Sequence, residues 1–535
     1  MSRSGLSGNN RATKISLPRD LVRRTGLNNP LKTAYICGDN KKSWGEMHSR
    51  SDQIAGALIA LGLKVGDPIG QMAPECIDVY EQFFAFMKMG AVRVGVNRRF
   101  VKAELQHVIQ DSSMKFFLVH AECEEQLSCA ADVCKEQGVV MIGYGGDHSY
   151  QYDLDTLIAE NQAPLVLPEI SGEDTMMYSY TSGTTGVPKG AILTQKAVLT
   201  SILHPLAEFG FCRDDIFYLP TGNSWVAVVL AFLGLGNGMT HVISNGDYDR
   251  PSFFAEVKKH KVSVFLFAPT MLSWALEDYA KKQFDLSTVR MIIYGSAPAS
   301  PTLIREVHDV FKKDLVNVYA ATETTWGGIS FLSPEDHRRA LSTSPQLLDT
   351  VGRVASHFDV SIRDEDGLVV PEGEAGEIWL QGDCVMDGYL NLPEQTAEVL
   401  NDGWLRTNDI GRVDDEGYLY LLDRQKFLII SGGINVYPTT VEEVLIQHPA
   451  VDAVCVVGLP HDTWGEIVAA SIIRKSGHED VTAEMLKEFC VDKLNKPSVP
   501  KFIHFTDEDF PRTSNFKVKK RDVREILLNT PEFKA

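Results

Sequence analysis

The sequence predicts an α/β fold in two parts: a large N-terminal α/β region with several subdomains, one of them β-rich, and a small C-terminal α+β domain. Three observations carry this. From Trp44 to about Ala340, helix-like and strand-like segments alternate, the pattern of a sheet covered by helices. After about Thr350, short stretches of alternating polarity surround turns, as antiparallel strands require. After Asp423 helix and strand signals return for about 110 residues, enough for an independent domain. The expected division is 1–422, with the β-rich subdomain at about 350–422, followed by 423–535.

The elements follow in order. Residues 262–267 (VSVFLF) read as a buried strand ending before Ala268 and Pro269. Residues 289–294 (VRMIIY) are a second, ending in the loop GSAPAS at 295–300. Ser300 is placed to cap a helix with Pro301 at its first position. Leu303, Ile304, Val307, Val310 and Phe311 then recur at helical spacing. Residues 315–319 (LVNVY) form the next strand, ending in AATET. In α/β sheets ligands bind in the loops beyond the strand C-termini, so GSAPAS and AATET are candidate site loops on geometry alone. Further on, DVSIRDEDGLVV (359–370) and GEIWLQG (376–382) read as strands with a turn at Gly367. In the tail, Thr439 or Thr440 is expected to cap a short helix, with Glu442 and Glu443 at capping-box spacing. AVCVVGL (453–459) and IVAASIIRK (467–475) read as strands, and 482–493 as a helix.

At 535 residues the chain has room for three to four domain-sized units and a core that needs no disulfides. Hydrophobic residues at 44% and charged residues at 23% exclude global disorder. Asp and Glu outnumber Lys and Arg by 71 to 52, a net charge of −19, which argues against nucleic acid or an anionic membrane as partner. The nine cysteines show no C-x-x-C pair and no zinc-ligand spacing, which fits free thiols in a reducing cytoplasm. No apolar segment follows the basic residues at the start, so no secretory signal is expected. The longest apolar stretch, 226–235, is about half a membrane span, so no integral membrane segment is expected either.

The most informative segment is 178–194, YSYTSGTTGVPKGAILT. Gly183, Gly186 and Gly190 are interleaved with Thr181, Ser182, Thr184 and Thr185, and Lys189 completes the set. Glycines let backbone N–H groups approach a polyphosphate, hydroxyls donate to its oxygens, and a lysine neutralises charge. The spacing is not that of a Walker loop.

TSGTTGVPKG resembles the signature loop of the adenylate-forming superfamily, which includes acyl- and aryl-CoA synthetases, adenylation domains of peptide synthetases and luciferases. The resemblance continues in order along nearly the whole chain: GSAPAS, NVYAATE (317–323), GWLRTND (403–409), DRQKFLIISGGINVYP (423–438) and PRTSNFK (511–517). It implies an acid–thiol ligase using ATP, magnesium and CoA. Thr181, Ser182, Gly183, Thr184, Thr185, Gly186 and Lys189 would grip the phosphates, with Thr184 and Glu323 as magnesium ligands. Thr322 would face the α-phosphate. Ser296, Ala297, Pro298 and Tyr319 would surround the adenine, and Asp409 and Arg424 the ribose. Lys517 would reach between the two reacting anions. Gly432 and Gly433 would line the CoA channel. The small C-terminal domain would be mobile, turning about a hinge at Asp423. A homodimer stays open.

Several positions depart from the family pattern. Asn408 stands for glycine, a substitution that left-handed backbone tolerates in Asn. Ala320 and Phe516 also replace glycine, Phe427 replaces an aspartate, and Pro220-Thr221-Gly222-Asn223 lacks the aromatic–His pair that relatives carry. Gly222, Asn223, Trp225, Ala320, Ala321 and Gly327 are the candidate acyl pocket; its small residues suggest a fatty or other bulky hydrophobic acid, with Trp225 able to refill the space. Two alternatives stand beside the CoA ligase: an adenylating enzyme that loads a separate carrier protein, and a non-catalytic acid- or nucleotide-binding relative.

Overall fold

The computed structural model describes residues 14–534 apart from 182–187, 221, 225, 245–247, 425–426, 432–433, 462–463, 492 and 513–517. Among them lie four sheets. The first has nine strands, with a parallel run in the spatial order Thr33–Cys37, Thr240–Ile243, Ile216–Leu219, Val264–Phe267, Met291–Gly295 and Asp314–Tyr319. Strand Val264–Phe267 is buried at every position, as a parallel strand covered on both faces must be. The second sheet has eight strands. Its parallel part ends with Val92–Gly95 and Thr175–Thr181, and Lys189–Thr194 and Gly388–Tyr389 follow antiparallel.

Helix Ile77–Met89 packs against helix Trp44–Ala60. Every residue of Ile77–Met89 except Asp78 is buried, Glu81, Gln82 and Lys88 included. Phe83 meets Phe232 with ring centroids 4.6 Å apart, and Tyr80 stacks on Tyr35 at 4.8 Å. One apolar core thus contains residues of both large sheets and the helices between them.

A polar cluster is embedded in that core. Arg93 is fully buried; its Nε donates to Gln71 Oε1 at 2.7 Å and Nη2 to the Asn223 carbonyl at 2.6 Å. Its guanidinium carbon lies 4.7 Å from the centroid of the Phe83 ring. Glu75, also buried, accepts from the Tyr80 hydroxyl. Arg93 therefore ties the second sheet to the loop at 222–224.

The β-rich subdomain orders Phe358–Arg363, Gly376–Gly382, Trp404–Val413 and Leu400–Asn401, with Leu419–Arg424 paired to Trp404–Val413. The C-terminal domain has its own sheet, from Ile434–Val436 through Ile429–Ser431 and Gly465–Arg474 to Val451–His461, with Phe502–Thr506 added in parallel. Two apolar clusters of its own lie on that sheet.

The sequence reading holds for the strands at 264–267, 291–295 and 314–319 and for helix Pro301–Phe311. Ser300 Oγ accepts from the Leu303 N–H at 3.2 Å, as a capping serine should. The expectation for the tail helix needs correction. That helix runs Pro438–Leu445, with Tyr437 at the cap position and Thr439 and Thr440 inside. Pro438 suits the first helical position, so the helix begins before either threonine. The Thr439 N–H donates instead to Asp423 Oδ2 at 2.9 Å, a cap supplied from the neighbouring subdomain. Glu442 accepts from the Val456 N–H at 2.7 Å and pairs with Lys520 at 2.9 Å.

Burial pushes the Glu75 carboxyl up to about 7 from its ordinary 4.5, against the pull of Tyr80, Asn223 and Arg93. The folded carboxyl holds its proton more tightly than the unfolded one. Its stabilising contribution is therefore full below the unfolded value near 4.5 and is lost as pH rises through about 7. Glu75→Gln, which stays neutral, should match wild type at pH ~5 and be more stable at pH ~8 by on the order of 3 kcal/mol. Thermal unfolding at the two pH values measures the difference; a variant less stable at the higher pH would contradict the account.

Candidate active site

The phosphate segment is the connection of a hairpin. Thr181 ends strand Thr175–Thr181, Lys189 begins strand Lys189–Thr194, and the two residues face each other across the antiparallel pair. Ser182, Gly183, Thr184, Thr185 and Gly186 lie outside the described residues. The hairpin base is braced: His107 Nε2 lies 2.8 Å from the Pro188 carbonyl, and the Tyr180 hydroxyl donates to Asp111 Oδ2 at 2.7 Å.

The loop AATET turns through a short 3₁₀ helix, Thr322–Thr324. Its Glu323 side chain points to Tyr389, whose hydroxyl donates to Glu323 Oε1 at 2.8 Å. The ammonium of Lys189 lies 5.1 Å from the centroid of the same tyrosine ring, a cation–π distance. Lys189 and Glu323, far apart in sequence, are thereby gathered on one side chain. Tyr389 was missed by sequence reasoning. Its only signal was a Gly-Tyr pair before Asn391 and Pro393, which reads as an ordinary turn.

The second cluster joins the end of strand Asp314–Tyr319 to the β-rich subdomain. The Tyr319 hydroxyl donates to Asp409 Oδ2, and both residues are buried. Asp409 lies opposite Arg424 in the antiparallel pair, so the two expected ribose residues share one rung. Asn408 has φ 58°, the left-handed conformation expected of an asparagine replacing glycine there. Ser296, at the end of strand Met291–Gly295, is also left-handed, at φ 69°. It is exposed, Ala297 is half-buried, and Pro298 is exposed. The left-handed pair Thr325 and Trp326, at φ 53° and 58°, follows Glu323 closely. Such conformations cost about 1–3 kcal/mol each and gather where surrounding structure holds a loop in a set shape.

Of the candidate acyl residues, Ala320 and Ala321 are half-buried and pack on the main core. Gly222 is exposed, and Asn223 is buried with its amide donating to the Pro74 carbonyl at 3.2 Å. At Gly327 a side chain has no space: a Cβ would meet Cys384 Sγ at 2.7 Å. The Gly327 carbonyl receives His357 Nε2 at 2.7 Å. Burial pushes the His357 imidazole down to about 4, so it is neutral and donates. Trp225, Gly432, Gly433 and Lys517 lie outside the described residues, as does the side chain of Arg424.

Among the described residues, no group of three or more His, Cys, Asp and Glu converges on a metal position. A single carboxylate still suits magnesium, which is commonly held by one or two carboxylates together with substrate phosphates and water. The Tyr389 hydroxyl occupies one of roughly four acceptor positions of the Glu323 carboxylate, so ligating capacity remains.

A carboxylate and a cation thus meet on Tyr389 beside the Thr181–Lys189 hairpin base, and a second carboxylate is bound to a tyrosine at a strand end. The AMP-binding enzyme family matches residues 22–390, and its C-terminal domain matches 440–517. A long-chain-fatty-acid–CoA ligase of Mycobacterium tuberculosis is 30% identical over 94% of this chain and 97% of its own length. A 2-succinylbenzoate–CoA ligase of a Geobacillus strain is 30% identical over 96% of this chain and 99% of its own. Among solved structures, ATP-bound MatB of Rhodopseudomonas palustris matches with TM-score 0.85 at 25% identity, covering 96% of this chain and 99% of that one. An amide bond synthetase of Marinactinospora thermotolerans matches with TM-score 0.84 at 27% identity, covering 95% and 99%. The chain belongs to the AMP-binding enzyme family, within its AMP-forming acid–CoA ligase group.

Asp409→Asn keeps the size of the buried carboxyl and removes its charge. A charge-assisted hydrogen bond is worth about 1.5–3 kcal/mol, so the KM for ATP should rise about tenfold to a hundredfold, with the thermal midpoint little changed. Steady-state kinetics at varied ATP checks this; an unchanged KM would remove Asp409 from nucleotide binding.

Proposed function

We propose that the protein activates a hydrophobic carboxylic acid with ATP and transfers the acyl group to CoA. The observation that carries the reading is the gathering of Lys189 and Glu323 on Tyr389 at the base of the phosphate hairpin. A cation and a carboxylate with remaining acceptor positions, side by side next to that hairpin, support a polyphosphate-binding role. The named activities of the relatives support the acid–CoA direction.

In the first half-reaction the substrate carboxylate oxygen attacks the α-phosphorus of ATP. The bond from that phosphorus to the bridging oxygen of the β-phosphate breaks, and pyrophosphate leaves. The hairpin from Thr181 to Lys189 would hold the β- and γ-phosphates. Glu323 would hold magnesium, which supplies charge neutralisation on the phosphate oxygens when bound. Tyr319 and Asp409 would hold the nucleoside, and Lys517 would lie between carboxylate and α-phosphate. In the second half-reaction the CoA sulfur attacks the acyl carbon, the thiol gives up its proton, and AMP leaves with the former carboxylate oxygen. Turning of 423–535 about Asp423 would withdraw Lys517 and bring the 432–433 segment to the acyl group. The Asp423–Thr439 bond is the contact at which that turn would pivot.

The acid is read as fatty or otherwise bulky and apolar. Ala320 and Ala321 offer methyl groups, the Asn223 amide is engaged by protein carbonyls, and a long apolar segment, Val226–Phe232, follows the 222–224 loop. The relatives named for long-chain fatty acid, indoleacetate and feruloyl substrates are consistent with this. Likeness to an amide bond synthetase favours one second reading, in which the acyl-adenylate passes to an acceptor other than CoA.

A panel of acids from acetate to long-chain and aryl acids, assayed by pyrophosphate release with and without CoA, tests the reading. Preference for a large apolar acid and formation of its CoA thioester are expected; best turnover with acetate would overturn the substrate assignment. Lys517→Ala should nearly abolish acyl-adenylate formation yet leave thioester formation from supplied acyl-adenylate largely intact. Lys519→Ala should leave adenylation within about a fewfold of wild type, a loss of order 1 kcal/mol or less. An essential Lys519 would shift the assignment away from Lys517.

A further inference from the structure

We propose that Tyr389 is a positioning residue that fixes Glu323 and Lys189 relative to each other, a clasp between the metal-ligand loop and the phosphate hairpin. The proposal rests on the reading of Glu323 as the magnesium ligand.

The segment around Tyr389 is bonded to both parts. Gly388 and Tyr389 add a short strand to the edge of Lys189–Thr194, opposite Ile192 and Ala191. The Leu390 N–H donates to the Gly190 carbonyl at 2.8 Å, the Asp387 N–H to the Ile192 carbonyl at 3.0 Å, and the Met386 N–H to the Glu323 carbonyl at 2.8 Å. The clasp is itself held. Tyr389 N–H donates to Thr396 Oγ1 at 2.9 Å, and Asn391 Nδ2 to Asp111 Oδ1 at 3.0 Å, the same aspartate that receives the Tyr180 hydroxyl from the hairpin's first strand. Gly388 has φ 148°, and a Cβ there would meet Thr396 at 2.7 Å, so this turn needs glycine.

Tyr389 uses its two ends on two partners. Its hydroxyl holds Glu323 Oε1, which fixes the rotation of the carboxylate and the direction of its remaining lone pairs. Its ring face lies under the Lys189 ammonium, which limits the sweep of a long flexible side chain. Phenylalanine keeps the face and removes the hydroxyl, while leucine removes both. The two functions are therefore separable.

The test measures ATP binding by the full-length protein with and without magnesium, in wild type, Tyr389→Phe, Tyr389→Leu, Glu323→Gln and the double variant Glu323→Gln/Tyr389→Phe. Partners that orient a metal ligand are typically worth about 10- to 100-fold in metal affinity. Tyr389→Phe should cut the affinity gain that magnesium confers by about tenfold and leave metal-free ATP affinity within about twofold. Tyr389→Leu should weaken metal-free binding as well, through Lys189. In the Glu323→Gln background, Tyr389→Phe should change nothing further. An undiminished magnesium gain in Tyr389→Phe, or a full additional loss in the double variant, would overturn the positioning role. Should Glu323→Gln alone keep the whole gain, Glu323 is not the ligand, and the role assigned to Tyr389 falls with it. If the leucine variant does not fold, the phenylalanine pair decides by itself.

Discussion

The chemistry assigned to this protein requires two anions to meet. A carboxylate oxygen must come within bonding distance of a phosphorus ringed by negative oxygens. Two unit charges 4 Å apart repel by about 4 kcal/mol even at an effective dielectric constant of 20. The chain as a whole makes this worse, since its net charge is −19. Positive charge must therefore be concentrated locally and held in place before the substrates arrive. Much of what is unusual in the structure follows from that demand.

The fold meets it by bringing strand ends together. The hairpin that carries Lys189 belongs to the eight-stranded sheet, and the loop that carries Glu323 to the nine-stranded one. Neither sheet alone contains a site. A buried helix layer holds the sheets against each other, Arg93 reaches from one to the 222–224 loop of the other, and the 386–390 segment spans the opening. Asp409 and Tyr319 join the β-rich subdomain to the same loop from its other end. The loop from Tyr319 to Glu323 is thus fixed at both ends. Thr325 and Trp326 just after that loop, and Asn408 beside Asp409, have left-handed backbone, strain that a rigid surround can carry.

The parts legible in the sequence were those written in local chemistry. The strands of apolar residues ending in GSAPAS and AATET, the Ser300–Pro301 helix start and the glycine-hydroxyl hairpin each declare themselves within a few residues. So did Asn408, because asparagine is among the few residues that accept its backbone angle. What was not legible depended on long-range placement. Tyr389 meets Glu323 across 66 positions and Arg93 meets Asn223 across 130, and no local pattern marks either. The tail helix shows the same limit in reverse. Thr439 looked like a cap from its neighbours, but Pro438 started the helix earlier and Asp423, sixteen positions away, supplied the acceptor. Nor does any local pattern show that the missing side chain of Gly327, a candidate acyl-pocket residue, leaves room for Cys384.

The central claim is that this site joins a carboxylic acid to AMP. The most direct measurement mixes the enzyme at substrate-level concentration with ATP, magnesium and a long-chain or aryl acid in the absence of CoA, quenches within one turnover, and resolves the products by mass. The account predicts an acyl-adenylate and pyrophosphate in equal amounts, with the adenylate converted to acyl-CoA and AMP once CoA is added. Release of ADP and phosphate, or unchanged ATP with every acid tried, would contradict it.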